Sequence, residues 1–115
     1  MDTAALVDLL AVTQQWYYDF KPIATQGPYG LVPDGSLQAF TKLERQAQKV
    51  LGKGAYELLP SLVTLTEQDE ETSEGWLRYL PALQWLSALH AYMLNRLPPE
   101  EEKTRQRMGL GSSEE

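Results

Sequence analysis

Asp34-Gly35-Ser36-Leu37-Gln38-Ala39-Phe40-Thr41-Lys42-Leu43-Glu44-Arg45-Gln46-Ala47-Gln48-Lys49-Val50-Leu51-Gly52 is the cleanest periodic stretch in this chain. Leu37, Phe40, Leu43, Ala47, Val50 and Leu51 recur at three and four residues, which lines them along one stripe of an α-helix. Asp34 and Ser36 offer caps at its start, and Gly52 or Gly54 a stop. The same spacing gathers Lys42, Arg45, Lys49 and Lys53 into a basic stripe.

Working towards the N-terminus, Asp19 to Ser36 holds Pro22, Gly27, Pro28, Gly30, Pro33 and Gly35, a density of helix breakers that reads as one long irregular loop. Before it, Asp2 or Thr3 can cap a helix whose apolar positions are Leu6, Leu9, Leu10, Thr13, Tyr17 and Phe20. Met1 to Leu6 places an acid where a secretory signal would carry basic residues, so export by that route is not expected.

Towards the C-terminus, Ala55 to Thr66 is apolar and contains Pro60. It reads as a short helix that breaks there, with a strand over Leu62 to Thr66 as the alternative. Glu67 to Glu74 contains five acids and reads as a solvated loop, with Thr72 or Ser73 capping the helix that follows.

That last helix is expected from about Glu74 to Leu97. Trp76, Leu77, Leu80, Leu83, Trp85, Leu86, Leu89, Tyr92, Met93 and Leu94 nearly encircle it, leaving Gln84, Ala88, Ala91 and Asn95 as the weakly polar stripe. Such a helix is either the centre of a bundle or half of an interface with another chain, a homodimer being the commonest form. Arg78, Gln84, His90 and Asn95 make the segment too polar to span a bilayer, so no membrane association is expected.

The expected architecture is therefore all-α: a small helical bundle of about four helices over 1–97, with one long irregular loop after helix 1. A charged, polar tail expected to be mobile follows over 98–115, beyond Pro98-Pro99.

Composition narrows the chemistry. The chain has no cysteine, which excludes disulfides, thiolate metal sites and cysteine nucleophiles and suits a reducing cytoplasm. His90 is the only histidine, so a multi-histidine metal site is excluded and a structural role is expected. The acidic run lacks both the second carboxylate pair that a metal-dependent helical hydrolase needs and the calcium-loop spacing. Gly27-Pro28-Tyr29-Gly30 and Asp34-Gly35-Ser36 lack the lysine and hydroxyl of a phosphate loop, and no serine sits in a nucleophile elbow. No cofactor, no metal and no enzymatic activity are expected.

What remains is surface. Trp16, Tyr17 and Tyr18 end the first helix beside a loop carrying Tyr29 and Leu31. These aromatics form either a binding patch or a cover folded over the bundle end. With Trp85 and Tyr92 on the last helix they are the candidate contacts for a protein partner, the chain acting as an adaptor, assembly factor or small subunit of a complex. Lys42, Arg45, Lys49 and Lys53 are candidate contacts for phosphates or an acidic partner. They support a second reading, a helical subunit of a nucleic-acid-handling complex, although the net charge of −6 disfavours phosphate binding over the whole surface.

Overall fold

The computed structural model describes residues 3–52, 59, 65–68, 71 and 75–97. Within them lie helix α1 (Thr3–Gln26), helix α2 (Asp34–Leu51), strands β1 (Glu67–Gln68) and β2 (Gly75–Trp76), and helix α3 (Tyr79–Leu94). The fold is mostly helical, as expected, with a two-stranded ladder added to it. The helix expected between Ala55 and Thr66 lies almost wholly outside the described residues. So do the tail from residue 98, Lys53, and the caps Asp2, Thr72 and Ser73.

The first helix is longer than its sequence suggests. The α1 helix runs through Pro22 to Gln26, which corrects the long loop expected from Asp19. Phe20 and Ala24 fall one turn apart on the face that buries Leu6, Leu9, Leu10 and Thr13, and only a continuing helix buries both. That burial outweighs the missing amide of an exposed proline. Thr25 Oγ1 donates to the Lys21 carbonyl at 2.8 Å, and the Gly27 amide closes the last turn on Ile23 O at 2.8 Å. The one polar group on the buried face is also satisfied: Thr13 Oγ1 donates to Leu9 O at 2.8 Å. The connection to α2 shrinks to residues 27–33.

In α2 the apolar stripe lands inward, burying Phe40, Leu43, Ala47 and Leu51 and turning Lys42, Arg45 and Lys49 to solvent. Its start differs from the sequence reading. Pro33 is the N-cap without any side-chain bond, and Asp34 sits inside the first turn, where the helix dipole favours an acid. The stop is as expected: Gly52 adopts φ 86°, open to glycine at little cost, and its amide bonds Gln48 O at 2.8 Å.

The last helix begins at Tyr79, not near Glu74. Gly75–Trp76 pairs antiparallel with β1, Glu67 opposite Trp76 and Gln68 opposite Gly75, so the acidic stretch is ordered into a ladder at its first two residues. Arg78, the N-cap of α3, is still extended at φ −89°, ψ 155°. Pro81 falls in the first turn, where it forfeits no intrahelical bond.

The α3 helix lies at the centre. Ala82, Trp85, Leu86, Leu89, His90 and Met93 are buried, and Tyr79, Leu83, Tyr92 and Leu94 pack partly buried against the same cluster. Gln84, Ala91 and Asn95 are exposed with Ala88 half-buried, which is the weakly polar stripe of the sequence. The apolar girdle is thus covered by this chain, and it no longer requires a second copy to bury it. Among the described elements, α1 supplies most of the cover.

Phe40 is the aromatic hub of the core. Its ring lies 4.6 Å from Trp16, 5.2 Å from Phe20 and 5.6 Å from Trp85, the last two edge-on, as ring quadrupoles prefer. Phe20 continues the chain of rings to Tyr79 at 5.3 Å. The three described helices meet there.

Candidate interaction surface

The α1–α2 connection is held against the start of α3 by a short run of backbone bonds. Leu31 lies opposite Arg78 in an isolated antiparallel bridge, flanked by Val32 N–H to Leu77 O at 2.7 Å and Tyr79 N–H to Gly30 O at 2.9 Å. One residue further on, Leu80 N–H donates to Pro28 O at 3.0 Å. The first amides of a helix have no partner within it, and here carbonyls of the connection take the place of a capping side chain. Pro81 has no amide to satisfy, and Ala82 N–H starts the helical ladder on Arg78 O at 3.1 Å.

The Arg78 side chain adds a clamp. Its Nη1 donates to the carbonyl of Tyr29 at 2.7 Å and its Nε to Glu67 Oε2 at 2.9 Å, so one planar fork ties the connection to β1. Gly30 permits the close fit. A Cβ there would stand 3.3 Å from Gly27 O and 3.4 Å from Cδ2 of Tyr79, tighter than ordinary packing for the first of these contacts.

This braced segment presents apolar side chains outward. Tyr29 is 73% exposed and Leu31 52%, although the backbone on either side of them is paired. Exposed large apolar groups on an ordered support lose little entropy on docking, the property that favours Tyr in interfaces.

The other candidate aromatics divide between core and surface. Trp16 is partly buried against Phe40 and Phe20, and Tyr17 against the core with Lys21 Nζ 5.8 Å from its ring centroid. Trp85 is fully buried beside Phe40, a correction to its place among the partner-facing residues. Tyr92 is half-buried under Arg96, whose guanidinium lies 4.6 Å from the ring centroid and whose Nη2 donates to Tyr92 Oη at 2.5 Å. Tyr18 remains outward at 43% exposure, its ring 5.5 Å from Tyr17 in a T-shaped pair. Trp16 and Tyr17, inside α1 and not at its end, are therefore mainly bundle cover, and Tyr18, Tyr29 and Leu31 are the exposed members of the group.

No protein-family model, curated protein or solved structure matches this chain.

Lys42, Arg45 and Lys49 are exposed along α2, and their side chains make no ion pair or hydrogen bond among the described residues. Lys53 lies outside them. His90 is buried in the core face of α3, and no group of three metal-ligating side chains occurs among the described residues. No described helix is long and apolar enough to cross a membrane.

Sequence reasoning missed two features. Arg78 enters the sequence only as an interruption of an apolar run, and nothing local announces acceptors on Glu67 and Tyr29. The second is a groove of about 600 Å³ between α1 and α2, lined by Ala5, Asp8, Leu9, Val12, Gln46, Lys49 and Val50. Val12 was its available signal, an apolar residue off the core stripe of α1 and 42% exposed.

Proposed function

We propose that this chain is a non-catalytic protein–protein interaction module: an adaptor, assembly factor or small structural subunit of a larger complex, working in the cytoplasm. The observation that supports this reading is the pairing of exposure with rigidity at Tyr29 and Leu31. A mobile loop would bury or disperse such side chains, whereas a clamped one holds them in solvent. The test is affinity purification of the native protein beside a Tyr29→Ala/Leu31→Ser variant, with nuclease-treated controls. The expected outcome is loss of specific co-purifying proteins from the variant at unchanged helical circular dichroism. Identical recovery from both would remove this surface from the reading.

The second reading, a helical subunit of a nucleic-acid-handling complex, is favoured by the lack of ion pairs at Lys42, Arg45 and Lys49 among the described residues. It predicts oligonucleotide affinity that falls steeply with salt, each neutralised phosphate steepening the slope by nearly one unit. Replacing the three cations with Gln should abolish that slope.

A further inference from the structure

We infer that the groove between α1 and α2 receives an amphipathic helix of a protein partner, with the acidic edge of that helix laid against Lys42 and Lys49. The inference rests on the reading of the chain as an interaction module, but at a site separate from the Tyr29–Leu31 segment. Three observations carry it. The floor is apolar: Leu9 is buried at its base, with Ala5 and Val50 half-buried and Val12 exposed along it. Its length suits a helix, since Ala5 to Val12 covers two turns of α1, about 10 Å, which accommodates anchors at i, i+3 or i+4 and i+7. The two walls also differ in charge.

Asp8 stands on the α1 wall and Lys49 on the α2 wall, and neither forms an ion pair among the described residues. Lys42, two turns before Lys49, lies on the same line of α2 and likewise forms no ion pair among the described residues. Charges left in solvent beside an apolar trough contribute little to the fold, but they set the register and orientation of whatever enters it. Carboxylates on the α2 side of the incoming helix and a cation on its Asp8 side would satisfy both walls.

Other occupants fit less well. Asp8, Val12, Gln46 and Lys49 are all exposed, so the groove is open along its length, while small-molecule sites enclose most of their ligand. A phosphate backbone would meet the apolar floor and the Asp8 carboxylate, in a chain of net charge −6.

The probe is a labelled synthetic helical peptide of about 15 residues, with Leu at i, i+3, i+4 and i+7 and Glu along one flank. Its match carries Lys in place of Glu. Both are titrated against the full chain by fluorescence anisotropy and mapped by amide chemical shifts. The acidic probe is expected to bind at least about tenfold more tightly than the basic one, shifting the amides of Ala5, Leu9, Val12 and Val50. Val12→Asp is expected to abolish binding, and Lys42→Glu/Lys49→Glu to reverse the preference between probes, both with unchanged circular dichroism.

Equal binding of the two probes, binding of neither, or tighter binding of a single-stranded oligonucleotide at the same amides overturns the inference. So does a tenfold gain in probe affinity on neutralising Glu100, Glu101 and Glu102, which would assign the groove to the chain's own tail. Failure here together with Tyr29-dependent partner recovery would refute the groove and leave the interaction module standing.

Discussion

Arg78 offers a direct test of how the exposed segment is held. Its side chain is 37% exposed and that of Glu67 47%, so their ion pair at 2.9 Å is largely solvent-screened and contributes about 0.5 kcal/mol. The bond from Nη1 to the Tyr29 carbonyl is charge-assisted, and such bonds contribute about 1.5–3 kcal/mol in general; the exposure of Arg78 reduces this to about 1 kcal/mol. Arg78→Met keeps the aliphatic stem and removes both bonds. It should destabilise the attachment of residues 28–32 by about 1.5 kcal/mol, against a few tenths for Glu67→Gln, which leaves an acceptor for Nε.

The natural assay is native-state hydrogen exchange. The amides of Val32, Tyr79 and Leu80 are the ones closed by the connection, and 1.4 kcal/mol of easier local opening speeds their exchange about tenfold. Amides in the middle of α1 and α3 should change much less. Arg78→Lys keeps the charge but replaces the planar fork with a single ammonium, and its exchange rates should lie nearer to those of Arg78→Met than to the wild type. Equal acceleration by Arg78→Met and Glu67→Gln would refute the clamp, leaving the backbone bridge as the sole attachment.

Two further substitutions probe the fold beneath this surface. Phe40→Ala removes the ring on which Trp16, Phe20 and Trp85 converge, and should cost about 3–5 kcal/mol in urea unfolding, a large share of a small domain's stability; a loss under about 1.5 kcal/mol would mean that the core closes over the gap. Pro22→Ala restores an amide in an exposed helical turn, an interior proline costing about 3 kcal/mol, less about 0.4–1 kcal/mol for the looser unfolded chain. A rise in melting temperature is expected, and a fall would show that the proline is favoured where it stands.

The parts of the fold that were legible in the sequence are those set by local periodicity. The α2 helix needed only its apolar spacing and the glycine at its end, and the basic stripe followed from the same geometry. The weakly polar line Gln84, Ala88, Ala91 and Asn95 on α3 was equally readable. The errors lie where distant parts of the chain outvote local signals. Pro22 reads as a stop, yet the core position of Ala24 carries α1 past it. Gly75 to Arg78 continues the apolar run of α3 but is drawn into extended structure by partners at Glu67, Gln68 and Leu31. Trp85 and Tyr29 are both large and aromatic, and only packing sends one to the core and the other to solvent.

The carbonyls of Pro28 and Gly30 have a consequence for the order in which the molecule is made. The α1–α2 hairpin is complete in the chain well before Tyr79 is joined to it, and it carries the acceptors for the first amides of α3. With no capping side chain at Arg78, α3 leaves its first amides to be satisfied from outside the helix. The hairpin therefore acts as the mould in which the later helix is started, and the long loop that this contact must close falls on the slow side of assembly. The same contact runs in reverse in the finished molecule: a force that pulls Tyr29 away from its place reaches the central helix at its first turn.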